Sequence, residues 1–125
     1  MNGPKPQNEA EFQAHVIHVA RQMGWGITAS AWLRQTEEAT AYGIEALPLD
    51  GLVFHPRFSV GSEAGWPDLV LVRRRDKRVL FRELKADKGR VSPRQAAVLE
   101  LLRAVGLDAG VWRPSDEDRI QGELA

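Results

Sequence analysis

Two short apolar runs separated by a strongly charged stretch stand in the middle of the chain. They occupy residues 69–72 and 79–81, and the stretch between them reads RRRDKR. Short apolar, β-branched runs around a polar turn are typical of an antiparallel hairpin. A turn centred on the middle of this charged stretch pairs Val72 with Val79.

The same register sets Asp68 opposite Glu83. Because side chains alternate between the two faces of a strand, Lys85 shares the face of Glu83. Directly opposed residues on one face have Cβ atoms roughly 4.5–5.5 Å apart. Two carboxylates and an ammonium therefore meet on an otherwise apolar patch, which is unfavourable unless a cation binds there. The pattern predicts a metal site.

Capping signals and helical periodicity predict two helices around this hairpin. The first begins at the N-cap Asn8 and ends at Gly24, and its helical projection places Glu9 at the edge of the buried arc. The second begins at the N-cap Ser92, with Gln95 closing a capping box. Its predicted apolar side comprises Val98, Leu99, Leu101, Leu102 and Val105.

The remaining segments complete an α/β sandwich around a mixed sheet. Residues 25–33 are predicted to form the first strand, residues 109–112 the last, and a weak helix follows. Residues 1–7 are predicted to be a disordered lead-in to a single domain spanning 8–125. Turn residues interrupt the segment from about 34 to 64, which we interpret as an insertion.

The amino-acid composition limits the kinds of ligand, metal site and cellular location that we expect for the chain. The formal net charge is zero, so affinity for a polyanion must come from local clusters of basic residues. Cysteine is absent, which excludes disulfides, thiolate metal ligands and a thiol nucleophile. No apolar run is long enough for a membrane span or a signal peptide, so we expect a cytoplasmic protein without membrane partners.

Hard oxygen ligands without cysteine favour Mg²⁺, with Mn²⁺ as a substitute. A metal held by Asp68 and Glu83 can lower the pKa of bound water and bind a phosphoryl oxygen. Lys85 can orient that water or neutralise charge on a phosphate. The alternative is a surface hairpin with incidental charges, and the Pro67 before Asp68 and the apolar flanks argue against it.

This ordered set of residues resembles the PD-(D/E)XK nuclease superfamily and, within it, the VRR-NUC (virus-type replication-repair nuclease) group. The motifs that carry the resemblance are Glu9, GWPD at residues 65–68, ELK at 83–85 and SPxQ at 92–95. The resemblance implies a restriction-endonuclease-like fold with an α-β-β-β-α-β core. It also implies metal-dependent hydrolysis of phosphodiester bonds in DNA.

Carried over by position, Asp68 and Glu83 are metal ligands and Lys85 is catalytic. The backbone carbonyl of Leu84 is a further ligand, Glu9 matches an acidic residue of the first helix, and Gln95 matches a catalytic glutamine. Two of these roles have alternatives from the residues alone. Gln95 is also explained as a helix cap, and Glu9 as a residue that interacts with the helix dipole.

In a nuclease, basic residues near the active face are expected to bind DNA phosphates. The candidates are Arg73, Arg74, Arg75, Lys77, Lys88, Arg90 and Arg94. The resemblance further implies a homodimer that acts on branched DNA, such as a junction or flap, in a bacterial or phage-infected cell. The alternatives are an inactive DNA-binding module, or a replication subunit that docks through residues 34–64.

Overall fold

A computed structural model describes residues 8–56 and 65–125 of the chain. The elements along the sequence are α1 Glu9–Gln22, β1 Ile27–Thr28, α2 Ala29–Thr40, β2 Gly51–Phe54, β3 Leu69–Arg73, β4 Arg78–Leu84, α3 Pro93–Ala104, β5 Asp108–Trp112 and α4 Glu117–Leu124, with a 3₁₀ turn at Pro114–Asp116 before α4. The lead-in predicted at residues 1–7 lies outside the described residues. None of the described helices combines the length and the apolar character needed to cross a membrane.

The strands form one mixed sheet in the order β1-β2-β3-β4-β5. The outer pairs, β1 with β2 and β4 with β5, are parallel, while β3 is antiparallel to both of its neighbours. The α/β sandwich is confirmed, and the α-β-β-β-α-β order is formed by α1, β2, β3, β4, α3 and β5. The two additional elements within that order are β1 and α2.

The central hairpin has the predicted register, with Val72 paired to Val79. Its two faces pack against different helices. One face, with α1 and α4, forms the main core around Trp25 and Trp112, both fully buried. The other face meets α3 through a smaller cluster in which Leu99 of α3 packs near Phe81 of β4.

The strand predicted at residues 25–33 is wrong for most of its length. Only Ile27–Thr28 is extended, and α2 begins at Ala29. Thr28 is the N-cap, and its hydroxyl oxygen accepts a hydrogen bond from the Ala31 N–H at 3.3 Å. Alanine-rich sequence after a capping threonine favours a helix, and this local signal outweighs the apolar content of the segment.

Two further predictions need correction or completion. In the segment 34–64, the first residues belong to α2, Gly51–Phe54 forms β2 inside the sheet, and residues 57–64 lie outside the described residues. The apolar side predicted for α3 is also too wide. Leu101 and Val105 are exposed, because α3 contacts the sheet along a narrow stripe that includes Leu99 and Leu102.

Helix α4 is fixed to the sheet by a buried arginine. The Arg82 guanidinium donates hydrogen bonds to the carboxylates of Glu123 and Asp108, both at 2.8 Å. Burial alone would raise the pKa of Glu123, but hydrogen bonds from Arg82, Trp112 and Arg119 outweigh it and lower that pKa. The carboxylate therefore stays charged, and α4 closes the main core.

Candidate active site

Asp68 and Glu83 lie opposite each other at one end of the hairpin, as the register Leu69 to Arg82 requires. Asp68 immediately precedes β3, and Glu83 is near the end of β4. The backbone N–H of Leu84 donates a 2.8 Å hydrogen bond to Asp68 Oδ2. One oxygen of Asp68 is thereby fixed, and its carboxylate is held beside that of Glu83.

Glu83 is the most constrained polar group of the site, with 2 % of its surface exposed. Its Oε2 accepts a 2.8 Å hydrogen bond from Gln95 Nε2 and lies 3.5 Å from Lys85 Nζ. Its Oε1 is buried and has no hydrogen-bond partner within the described part of the chain. Burial, and then the negative charge of Asp68, raise the pKa of Glu83 to about 7, although Lys85 opposes this rise.

The first turn of α3 brings Gln95 to Glu83. The Gln95 side-chain oxygen accepts a 2.9 Å hydrogen bond from the Ser92 N–H, and Ser92 Oγ accepts from the Gln95 N–H at 3.1 Å. The predicted capping box is therefore present. Because the same amide uses its nitrogen to hold Glu83, the capping role of Gln95 also positions an acidic residue of the site.

The turn before Asp68 requires a glycine. Gly65 has φ +104°, and a Cβ at this position would lie 2.9 Å from the Arg94 carbonyl oxygen. Only glycine accepts both this conformation and this close approach to α3. The next residue, Trp66, is 37 % exposed and meets Phe81 edge to face, with ring centroids 6.1 Å apart.

His55 is a neighbour of the site that sequence reasoning missed. Its Nδ1 lies 2.8 Å from the backbone oxygen of Asp68, which fixes the chain just after β2 against the start of β3. The signal that can identify this contact is the pairing of β2 with β3, in which Phe54 faces Val70. That pairing is not visible in the local pattern around His55.

These groups fit a small divalent cation. A buried carboxylate oxygen without a partner, facing a second carboxylate, is satisfied by a hard metal ion. Within residues 8–56 and 65–125, no three His, Cys, Asp or Glu side chains are grouped to hold a metal. Two carboxylates suit Mg²⁺, which usually keeps several waters. Glu9 is exposed in the first turn of α1, so its role as a ligand stays a prediction, as does that of the Leu84 carbonyl.

One of the predicted DNA contacts is a structural residue instead. Arg73 is 2 % exposed, and its guanidinium stacks on Trp25 with its central carbon 4.3 Å from the ring centroid. It donates hydrogen bonds to Asp76 and to the backbone oxygens of Met23 and Leu124. A phosphate cannot reach a guanidinium that is enclosed in this way.

The other basic candidates form two exposed groups. Arg74, Arg75 and Lys77 lie in the β3–β4 turn, where Arg74 also donates to the backbone oxygen of Leu49. Five residues of strand lie between that turn and Glu83, so the two are about 20 Å apart along β4. Lys88, Arg90 and Arg94 belong instead to the β4–α3 connection and the first turn of α3, at the carboxylate end of the hairpin.

The family model of the VRR-NUC domain matches residues 52–116. The matched residues are just over half of the chain and run from β2 to the 3₁₀ turn after β5. They include both carboxylates, Lys85 and Gln95. Neither the search of curated proteins nor the search of solved structures found a match.

Proposed function

Because the chain belongs to the VRR-NUC family and is therefore a nuclease-family domain, we propose that it is a Mg²⁺-dependent DNA endonuclease. The observation that carries this proposal is the buried carboxylate of Glu83, which lies opposite Asp68 across the hairpin and whose Oε1 has no hydrogen-bond partner among residues 8–56 and 65–125. Lys85 lies beside the same carboxylate at 3.5 Å. Two carboxylates that can hold a metal ion, with a lysine ammonium beside them, are the groups that metal-dependent hydrolysis of a phosphodiester requires.

Asp68 and Glu83 are the residues that would hold the metal. When bound, Mg²⁺ supplies positive charge that lowers the pKa of a water and stabilises charge on the phosphate. Lys85 places an ammonium next to this centre, where it donates to a phosphate oxygen or to the attacking water. The Leu84 N–H and the Gln95 side chain hold the two carboxylates in place before substrate arrives.

The substrate side of the proposal rests on the exposed basic residues and on the family. Lys88, Arg90 and Arg94 are exposed at the carboxylate end of the hairpin, which supports a role for them in contacting phosphates near the scissile bond. We infer that the natural substrate is branched DNA, such as a flap or junction, and that the enzyme acts as a homodimer in the cytoplasm of a bacterial or phage-infected cell. Mn²⁺ is expected to replace Mg²⁺.

A cleavage assay tests the proposal. The chain is incubated with linear duplex, flap and four-way-junction DNA in Mg²⁺, in Mn²⁺ and in EDTA. We expect cleavage in either metal, none in EDTA, and faster cleavage of the branched substrates. Binding without cleavage under all metal conditions would contradict the proposal. Equal rates on all three DNAs would contradict only the preference for branched substrates.

A further inference from the structure

The sheet face that carries the carboxylates has an ordered set of residues leading away from them. Strand pairing places these residues in three rows across the hairpin and β2, spaced about 7 Å apart along the strands. The first row is Asp68 and Glu83, the second is Phe54, Val70 and Phe81, and the third is Leu52, Val72 and Val79.

Helix α3 packs against this face near β4 and β5. On the β2–β3 part of the face, Leu52 and Val70 are half-buried, whereas Phe54 and Val72 are exposed. Phe54 is 45 % exposed and Val72 is 41 % exposed. At the other end of the second row, the ring of Trp66 contacts that of Phe81. Two exposed aromatic side chains thus lie within one row of the carboxylates. Exposed aromatic side chains grouped in this way indicate a binding surface.

The third row forms the floor of an open groove of about 520 Å³. The groove is also lined by the basic residues Arg74 and Lys77 of the β3–β4 turn and by Asp50, whose carboxylate lies 3.7 Å from Arg74 Nε. The face therefore has acidic groups at one end, aromatic rings next to them, an apolar floor, and cations at the other end. The two cations are exposed, and the apolar floor lies between them and the rings.

We propose that Phe54 and Trp66 stack the bases of an unpaired nucleic-acid segment beside the scissile phosphate, while Arg74 and Lys77 bind its backbone further along the groove. This inference rests on the proposed nuclease function, and it assigns the substrate class of the site as nucleic acid that is single-stranded next to the cut. Binding of single strands commonly combines a basic groove with aromatic side chains that accept any base.

The same chemistry disfavours a paired substrate on this face. In a duplex the bases are stacked on one another and their flat surfaces are not available to protein rings. The aromatic side chains beside the carboxylates can therefore stack only on bases that are unpaired and outside the double helix. A protein partner would also cover an apolar face, but the cations at the end of the groove complement phosphates.

The test measures stacking directly. The Glu83→Gln protein, kept in EDTA so that the DNA is not cut, is titrated with 2-aminopurine-labelled single-stranded DNA and with blunt duplex of the same sequence. Phe54→Ala and Trp66→Ala are each compared with Tyr42→Ala, which removes an aromatic ring that is 86 % exposed and lies outside this face. Phe54→Tyr keeps the ring, and thermal unfolding verifies that each variant folds.

We expect base fluorescence to be quenched on binding, and each of the two alanine variants to weaken single-strand affinity by about 10- to 100-fold, the usual effect of removing one stacking partner. Duplex affinity should change less than about twofold, and Tyr42→Ala and Phe54→Tyr should bind as the parent does. Equal losses for single strand and duplex, or no loss, would overturn the proposal. A fall in molar mass by ultracentrifugation with Phe54→Ala would also overturn it and identify a subunit contact. Because these readouts need no cleavage, they remain interpretable if the protein proves not to cut DNA.

Discussion

Gln95 Nε2 donates a 2.8 Å hydrogen bond to Glu83 Oε2, while the oxygen of the same amide caps α3 at Ser92. The amide thus links the helix terminus to the acidic site. We expect Gln95→Ala to lower the cleavage rate by about 10- to 100-fold, because Glu83 loses the donor that orients it. Single-turnover cleavage measures this effect.

Ser92→Ala is the matched control for Gln95. It removes the other half of the capping box and should cost about 1 kcal/mol of unfolding free energy. The contact between Gln95 and Glu83 survives in this variant, so cleavage should stay close to the wild-type rate. If Ser92→Ala slows cleavage as much as Gln95→Ala does, Gln95 acts only through the stability of α3.

Neutralising either carboxylate should abolish cleavage without unfolding the protein. Asp68→Asn and Glu83→Gln keep the shape of the side chains and remove one charge from a repulsive pair, so stability in EDTA should hold or rise. Asp68→Ala differs, because it leaves the Leu84 N–H without its acceptor, at a cost of about 1–3 kcal/mol. Urea unfolding and cleavage assays on the three variants check this. Wild-type cleavage by Asp68→Asn or Glu83→Gln would contradict the site assignment.

The raised pKa of Glu83 predicts how metal-free stability depends on pH. Folding raises this pKa from an ordinary value of 4.5 to about 7, so the folded state holds a proton that the unfolded state releases at lower pH. The free energy of unfolding should therefore fall as pH rises from about 4.5 to 7, by an amount on the order of 2–3 kcal/mol. Urea titrations in EDTA across this range measure the fall, and Glu83→Gln should remove it. An equal fall in that variant would assign the effect to another group.

Lys85 should be needed for the reaction but not for metal binding. Lys85→Ala should lose about 10²–10³ in single-turnover rate, the usual effect of removing one charged donor from a transition state. Lys85→Arg should not restore the rate, since a planar guanidinium is larger than the ammonium that sits 3.5 Å from Glu83. Mn²⁺ binding, followed by electron paramagnetic resonance, should persist in both variants. A wild-type rate for Lys85→Arg would reduce Lys85 to a phosphate-binding charge.

Arg73 should determine stability and leave DNA binding unchanged. Arg73→Met leaves several buried oxygens without a donor, and we expect a loss on the order of 2–4 kcal/mol in unfolding free energy. Arg75→Met, in the adjoining β3–β4 turn and exposed, should change stability by less than about 0.5 kcal/mol. The salt dependence of DNA binding should be the same for Arg73→Met and wild type. A shallower slope would show that Arg73 reaches a phosphate.

Local sequence signals predicted those parts of the fold that depend on neighbouring residues. The hairpin register follows from two apolar runs and the turn between them, and the capping box of α3 follows from Ser92 and Gln95. Since the register alone places Asp68 opposite Glu83, the centre of the candidate site could be predicted from the sequence. The alternation of side chains along a strand then placed Lys85 on the same face as Glu83.

Contacts between distant segments could not be predicted in the same way. Arg73 is read from its neighbours as one member of a charged turn, but its acceptors at Met23 and Leu124 lie 50 and 51 residues away. His55 likewise meets Asp68 only through the β2–β3 pairing. In residues 25–33, an apolar composition fits either a strand or a helix, and the Thr28 cap decides between them.

Because Leu84 lies between Glu83 and Lys85, the site can form only when β3 and β4 pair in one register. The amide that fixes Asp68 belongs to the residue between the acid and the lysine, so both lie on the face of Asp68 only when β3 and β4 are aligned in one way. Adding one residue to the turn would direct Glu83 and Lys85 toward the main core while Asp68 stayed where it is. A chain whose hairpin closes in another register therefore lacks the proposed active site, so correct folding of the hairpin and the proposed activity depend on the same strand alignment.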